Sequence, residues 1–173
     1  MIPKELPPRS TTFGDFACRR DNGLFGRINH TLVMANRVLR QAQDEAAGRH
    51  ASPTAVVLDD ESVKSTESDG PRGYDAGKKI KGRKRQALVD RDGRALVPDP
   101  QAADVQDRGG AGPVSRLSRP TFSFIAKVFA DAGCASDRLA TAILITIDIV
   151  RKPKDLVGFA VPPRRWVVEH FFG

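Results

Sequence analysis

Cysteine, histidine and long apolar runs are all scarce in this chain of 173 residues, which contains two cysteines and three histidines. Cys18 and Cys134 form neither a metal-ligand spacing nor a disulfide framework, which indicates a reducing cytoplasm. The scattered histidines argue against a zinc site. No signal peptide opens the sequence, and the longest apolar stretch, 139–150, is too short to span a bilayer and contains Asp148. We therefore expect a cytoplasmic protein with no membrane partner.

Positive charge is abundant and concentrated in one segment. Residues 72–85 hold seven cations against the single Asp75, so this segment carries six of the seven net positive charges of the chain. Such a local field attracts polyanions with a strong dependence on salt. The intervening glycines predict a flexible loop that follows DNA phosphates without reading bases. A solvated basic loop or a localisation signal is the alternative. The cations are Arg72, Lys78, Lys79, Lys81, Arg83, Lys84 and Arg85.

The order of apolar patterns predicts an α/β fold with a mixed sheet. One or two amphipathic helices are expected over 23–47, whereas 1–23 reads as irregular. Asp92-Gly93 is a strong hairpin-turn signal. Strands are predicted at 54–58, 85–89, 94–97, 124–130 and 145–150, with helices at 136–144 and from 164 onward.

Acidic residues follow two of these predicted strands. The strand 54–58 ends at Asp59, with Asp60 and Glu61 beyond it as expected solvated turn residues, and the strand 124–130 ends at Asp131. Carboxyl ends of strands collect catalytic groups in open α/β sheets, so Asp59 and Asp131 could meet.

Three carboxylates would suit two Mg²⁺ ions acting on a phosphodiester. Mg²⁺ prefers hard oxygen ligands, and a metal pair can stabilise both the attacking and the leaving oxygen. Asp59 is the candidate shared ligand, Asp131 the second, and Glu169 the third, from the final helix. An aspartate after a strand is more often a cap or turn residue, and the residues alone leave both interpretations open.

Three blocks of sequence resemble the DDE transposases of bacterial insertion sequences, in particular the group like insertion sequence five. The first spans 56–93 and contains Asp, two variable residues and Ser-Val-Lys, which corresponds to Asp59. The second reads Asp-Ala-Gly-Cys from Asp131, where the family has Asp-Gly-Gly-Tyr. The third, VPPRRWVVEH, corresponds to a catalytic glutamate at Glu169 with Arg165 four residues earlier.

The resemblance implies a ribonuclease-H-like mixed sheet flanked by helices over 54–173, after a partial N-terminal helical region over 1–50. It also implies Mg²⁺ or Mn²⁺ held by Asp59, Asp131 and Glu169, with Arg165 among the DNA-binding residues. The family cuts and joins double-stranded DNA at the terminal inverted repeats of the element, acting as a homo-oligomer. The implied activity is therefore metal-dependent phosphodiester hydrolysis followed by strand transfer.

The chain also departs from the family pattern. Cys134 replaces the usual tyrosine, and the sequence ends four residues after Glu169. We therefore expect a copy truncated at both ends, with strand transfer that is weak or absent. The alternative function is a non-catalytic DNA-binding fragment of a transposase, and a third hypothesis is a ribonuclease-H-like nuclease with another substrate.

Overall fold

The structure separates into two compact units, Met1–Ala51 and Ser52–Gly173. It is a computed structural model, and it describes residues 5, 7–50, 53–65, 72–105, 116, 118–131, 145–150, 167, 171 and 172. Among the helices in these ranges, none is both long enough and apolar enough to cross a membrane.

Two helices make up the described part of the first unit, α1 Arg9–Asp21 and α2 Leu24–Ala46. The prediction that residues 1–23 are irregular is wrong, because α1 occupies most of them. α1 buries none of its residues, so it lacks the apolar stripe by which a helix is recognised in a sequence. Its last turn carries Arg19 and Arg20, where cations favour the helix dipole. Gly23 separates the helices with a φ of 72°, a left-handed conformation natural for glycine.

A mixed sheet forms the second unit. Its strand order is β2-β3-β1-β5-β6, and β4 also pairs with β3. β3 is antiparallel to β1, β2 and β4, whereas β1, β5 and β6 run parallel to one another. The predicted α/β class with a mixed sheet is confirmed. The strands are β1 Ala55–Lys64, β2 Gly73–Asp75, β3 Ile80–Asp90, β4 Ala95–Ala102, β5 Lys127–Ala130 and β6 Thr146–Ile149.

The hairpin predicted at Asp92-Gly93 joins β3 to β4. Gly93 has a φ of 81°, and the Asp90 N–H donates to the Arg94 carbonyl over 3.0 Å. The Asp90 carboxylate accepts the N–H groups of Asp92 and Arg94 at 2.9 and 3.0 Å. A three-residue turn with a left-handed glycine matches the twist of the flanking strands, which explains why this part of the prediction is correct.

β1 is longer than its apolar run predicts. It pairs with β5 only from Ala55 to Leu58, but its pairing with β3 continues to Lys64. Asp59, Asp60 and Glu61 therefore lie inside a strand and not in a turn. The prediction that β1 stops at Leu58 is wrong. The apolar run marks only the part of β1 that has strands on both sides, and the antiparallel ladder with β3 continues beyond this run.

Alternation along the strands gives the sheet two distinct faces. At the centre of the sheet the apolar side chains of both faces are buried, so this part of the sheet is covered on both sides, as is usual where strands run parallel. We define the front face as the one that carries Val57, Asp59, Ala87, Val89 and Phe129. We define the reverse face as the one that carries Val56, Leu58, Asp60, Leu88 and Val128.

Candidate metal and nucleic-acid site

Asp59 and Asp131 occupy adjacent positions on neighbouring parallel strands. The ladder between β1 and β5 ends with the pair Leu58 and Ala130, and the next residue on each chain is an aspartate. Neighbouring strands lie about 4.8 Å apart, so the two aspartates follow directly on backbone positions that are close together. Asp59 is 7% exposed, and Asp131 is half-buried.

The Asp59 carboxylate is oriented by its own strand. Its Oδ1 accepts the backbone N–H of Asp60 over 2.8 Å. Directly across on β3 lies Ala87, whose methyl group leaves room on the front face beside Asp59. A carboxylate held on a rigid strand next to a small residue suits a metal ligand, because little reorganisation is needed when an ion binds.

Residues from the carboxyl-terminal stretch pack on the same face. Val167 is buried in a cluster with Val57, Val89 and Phe129, and Phe172 packs against this cluster. The Arg85 guanidinium lies 5.7 Å from the centre of the Phe172 ring. The predicted ligand Glu169 and the predicted DNA contact Arg165 fall outside the described residues.

The acids that follow Asp59 have specific partners, so the prediction that they are solvated turn residues is wrong. Glu61 lies on the front face and forms an ion pair with Arg85, directly opposite on β3. The Asp60 side chain is only 6% exposed and lies on the reverse face, near the ammonium groups of Lys78 and Lys84. Both acids are therefore fixed by basic residues of the segment that was predicted to be a loop.

The basic segment is a β-hairpin and not a flexible loop. β2 and β3 pair from Gly73 opposite Gly82 to Asp75 opposite Ile80, with residues 76–79 as the turn. The loop was predicted from the glycines of this segment, but Gly73 and Gly82 are needed for close packing inside the sheet. A Cβ on Gly82 would lie 2.0 Å from the Val63 carbonyl oxygen, and one on Gly73 would lie 2.1 Å from Asp104 Oδ1.

The hairpin divides its cations between solvent and interior. Lys84 is 4% exposed, which argues against the phosphate contact predicted for it. Arg83 is half-buried, and the Lys78 side chain is 43% exposed while pairing with Asp60. The cations exposed to solvent are Arg72, Lys78, Lys79, Lys81 and Arg85.

Sequence analysis missed an ion cluster on the reverse face, which we call the reverse-face cluster. The Lys84 ammonium lies 3.5 Å from Asp60 Oδ2 and 3.9 Å from Asp75 Oδ2. It also donates to the Val105 carbonyl over 2.9 Å. In the sequence, the only indication of this cluster was that the polar residues Asp60 and Ser62 continue, at alternate positions, a series of two buried apolar residues. The members are Asp60, Ser62, Asp75, Lys78 and Lys84.

Hydrogen bonds lower the pKa of the Asp75 carboxyl below its usual value. The Ser62 hydroxyl makes the largest contribution, donating to Oδ2 over 2.6 Å, and the Lys78 N–H follows, donating to Oδ1 over 2.9 Å. The charges of Lys84 and Lys78 act in the same direction, while burial opposes them. Asp75 is therefore a stably ionised partner of the buried lysine.

A divalent metal fits the chemistry of the donors at the front face. Two aspartates at adjacent strand positions offer the hard oxygens that Mg²⁺ and Mn²⁺ bind. Within the described ranges, no three acidic, histidine or cysteine side chains are grouped so that they could hold a metal. A complete site therefore needs a ligand from elsewhere in the chain or from substrate.

Comparison with known proteins identifies the family. The family model described as "Transposase DDE domain" matches residues 50–173, more than half of the chain. Among curated proteins, none matches the chain significantly. A solved structure of the piggyBac transposase synaptic complex with hairpin DNA is 15% identical, with a TM-score of 0.39. That match covers 61% of this chain and 25% of the piggyBac chain. By the family match, the chain belongs to the family of transposases with a DDE domain.

Proposed function

We propose that this chain supplies the catalytic core of a DNA transposase that cuts and joins DNA at the ends of an insertion element. The main support is the strand register, in which Asp59 and Asp131 follow the last residue pair of two neighbouring parallel strands. The reaction would be metal-dependent hydrolysis of a phosphodiester, followed by attack of the freed 3′-hydroxyl on a second one. Membership of the family supports the reaction type, and the register supports Asp59 and Asp131 as candidate ligands.

In this proposal Asp59, Asp131 and Glu169 hold Mg²⁺ or Mn²⁺. Glu169 lies in sequence between Val167 and Phe172, both of which pack against the front-face residues that precede Asp59 and Asp131 on their strands. The bound metal would supply Lewis-acid stabilisation of the attacking and leaving oxygens. Asp59, anchored by the Asp60 N–H, would keep a fixed orientation while the DNA phosphate moves.

Double-stranded DNA is the proposed substrate, with the terminal inverted repeats as its specific sites and a homo-oligomer as the active form. Solvent-exposed cations on the basic hairpin support DNA as the substrate, since Lys79 and Lys81 reach solvent beside the strand that carries Asp59. Arg72, Lys78, Arg83, Arg85 and Arg165 complete the proposed DNA-binding set. Because the hairpin is a sheet extension, these cations would contact the backbone at fixed spacing, which positions DNA without specifying its sequence.

The catalytic part of the proposal can be tested by cleavage of DNA that carries the sequences flanking the gene. With Mn²⁺ present, the wild-type chain should nick this DNA, and Asp59→Asn and Asp131→Asn should each reduce the rate by about a hundredfold or more. Asp99→Asn is the matched control, because Asp99 is a carboxylate on β4 that bonds to Gln101 and should leave the rate unchanged. Cleavage that survives both substitutions would refute the assignment, and wild-type DNA binding without cleavage would favour the non-catalytic fragment.

The dependence of DNA affinity on salt tests the binding part separately. Replacing both Lys79 and Lys81 with glutamine should weaken binding to all DNA sequences alike. It should also reduce the slope of log affinity against log salt concentration by roughly two. The double variant Arg116→Gln and Arg119→Gln removes two exposed cations outside the hairpin and should leave the slope unchanged. Equal effects of the two double variants would show that the hairpin has no special role.

A further inference from the structure

We propose that Asp60 is a positioning residue that ties the basic hairpin to the strand carrying Asp59. This inference rests on the proposed function for the roles of Asp59 as a metal ligand and of the hairpin cations as phosphate contacts. It adds a physical connection between the metal ligand and the basic hairpin. Asp60 provides this connection, although the proposed function assigns Asp60 neither to the metal ligands nor to the DNA contacts.

Asp60 contacts both parts at once. Its backbone N–H donates to Asp59 Oδ1 over 2.8 Å, so it fixes the carboxylate proposed to bind metal. On the reverse face its Oδ2 lies 3.4 Å from the Lys78 ammonium and 3.5 Å from that of Lys84. Lys78 belongs to the hairpin turn and Lys84 to β3, so one aspartate holds the turn and the strand that follows it.

Apart from Lys78, the charged side chains of the cluster around Asp60 are largely buried, and their partners restrict their movement. The side chains of Asp60 and Lys84 are 6% and 5% exposed. Lys84 gains a third partner in the Val105 carbonyl, and Asp75, at the end of β2, is fixed by the Ser62 hydroxyl. Low exposure strengthens each of these charge contacts and raises the cost of separating them.

Asp59 depends on this cluster because, in the part of the chain that the structure describes, β1 has a neighbouring strand on one side only at this point. The pairs with β5 end at Leu58, while those with β3 continue through Asp59 and Asp60. The orientation of Asp59 therefore follows from the β1–β3 ladder and from the Asp60 N–H. A shift of the hairpin would be transmitted through Asp60 to the Asp59 carboxylate.

Two matched pairs of variants test the proposal in the metal-free and the Mn²⁺-bound full chain. Lys78→Gln and Lys79→Gln each remove one cation from the same turn, but only Lys78 contacts Asp60. Asp60→Asn and Asp99→Asn each neutralise one aspartate of the sheet, and only Asp60 adjoins Asp59. Mn²⁺ affinity by electron paramagnetic resonance and amide hydrogen exchange at Asp60 and residues 75–80 are the two readouts.

We expect Asp60→Asn to weaken Mn²⁺ binding by about tenfold, as is common for residues that orient a ligand. Its amide exchange should become about tenfold faster or more at the hairpin and at residue 60. Lys78→Gln, at a position whose side chain is 43% exposed, should move both readouts in the same direction, whereas Lys79→Gln and Asp99→Asn should move neither.

The outcomes separate this inference from the proposed function. Unchanged exchange and unchanged Mn²⁺ affinity in Asp60→Asn and Lys78→Gln would overturn the positioning role. Faster exchange with unchanged affinity would reduce Asp60 to a structural contact and would also overturn it. If the wild type bound no Mn²⁺, the proposed metal site would fail, and the exchange data alone would then decide whether Asp60 ties the hairpin to β1.

Discussion

The two faces of the sheet place consecutive aspartates in contrasting surroundings. Asp59 lies on the front face, one strand from Asp131, at the point where the β1–β5 ladder ends. Asp60 lies on the reverse face between two lysine ammonium groups. Because side chains alternate along a strand, a shift of one residue would exchange these surroundings. The comparison teaches that the register of β1 decides which carboxylate lies next to Asp131 and which one joins the reverse-face cluster.

Loss of the buried lysine should give the largest effect on stability. Lys84→Met would remove the buried cation of Asp60 and Asp75 and leave only the more exposed Lys78 beside them, and we expect a loss of about 3–5 kcal/mol in the free energy of unfolding. Urea unfolding measures it. Lys81→Met removes an exposed lysine from the same strand and should change the free energy by less than about 0.5 kcal/mol. Similar losses in both variants would mean that the reverse-face cluster does not stabilise the fold.

Crowding at the far end of the β1–β3 ladder should give the next largest effect. In Gly82→Ala the new methyl group would meet the Val63 carbonyl at 2.0 Å, so the backbone must shift, at a cost of about 1–3 kcal/mol. Gly77→Ala is the control, because its nearest contact, with Asp75 Oδ1, is an ordinary 3.4 Å. Thermal unfolding of the two variants tests whether the ladder beyond Asp59 is as tight as described. A Gly82→Ala variant as stable as Gly77→Ala would contradict it.

A front-face carboxylate should contribute little to folding. Asp59→Asn can still accept the Asp60 N–H, and it removes one of two neighbouring negative charges. We therefore expect a change of less than about 1 kcal/mol in the free energy of unfolding, towards higher stability, as is common when a functional acid is neutralised. Chemical denaturation in the absence of metal measures this change. A loss as large as that of Lys84→Met would remove the contrast between the faces.

The smallest expected effect is a dependence of stability on pH. The pKa of Asp75 is lowered in the folded protein, chiefly by the Ser62 hydroxyl, so ionised Asp75 stabilises the fold above its unfolded pKa of about 3.9. This stabilisation is lost as the pH falls from there through the folded pKa. Urea unfolding between about pH 7 and pH 3 should therefore show a steeper acid loss in the wild type than in Asp75→Asn. Parallel curves for the two proteins would contradict this role of Asp75.

The sequence predicted the parts of the fold that rest on local signals. The turn at Asp92-Gly93 depends on one left-handed glycine, and the apolar residues of β1 and β5 mark strands buried on both faces. α1 escaped prediction because it buries nothing, and β2 because glycine there serves close packing and not a loop.

The candidate site was predictable only in part. A strand followed by an aspartate, twice, was enough to suggest that Asp59 and Asp131 meet, and the observed register brings these two positions together. The partners of Asp60 could not be foreseen, because Lys84 and Asp75 approach it through pairings across three strands. Assigning Lys84 to DNA followed from charge alone, and charge does not reveal burial.

A crystal of the full chain soaked in Mn²⁺ would test the central claim most directly, through the anomalous signal of the ion. The account predicts a peak on the front face, about 2.1 Å from carboxylate oxygens of both Asp59 and Asp131. A peak beside Asp60 and Asp75 on the reverse face, or saturating Mn²⁺ with no peak between Asp59 and Asp131, would contradict it.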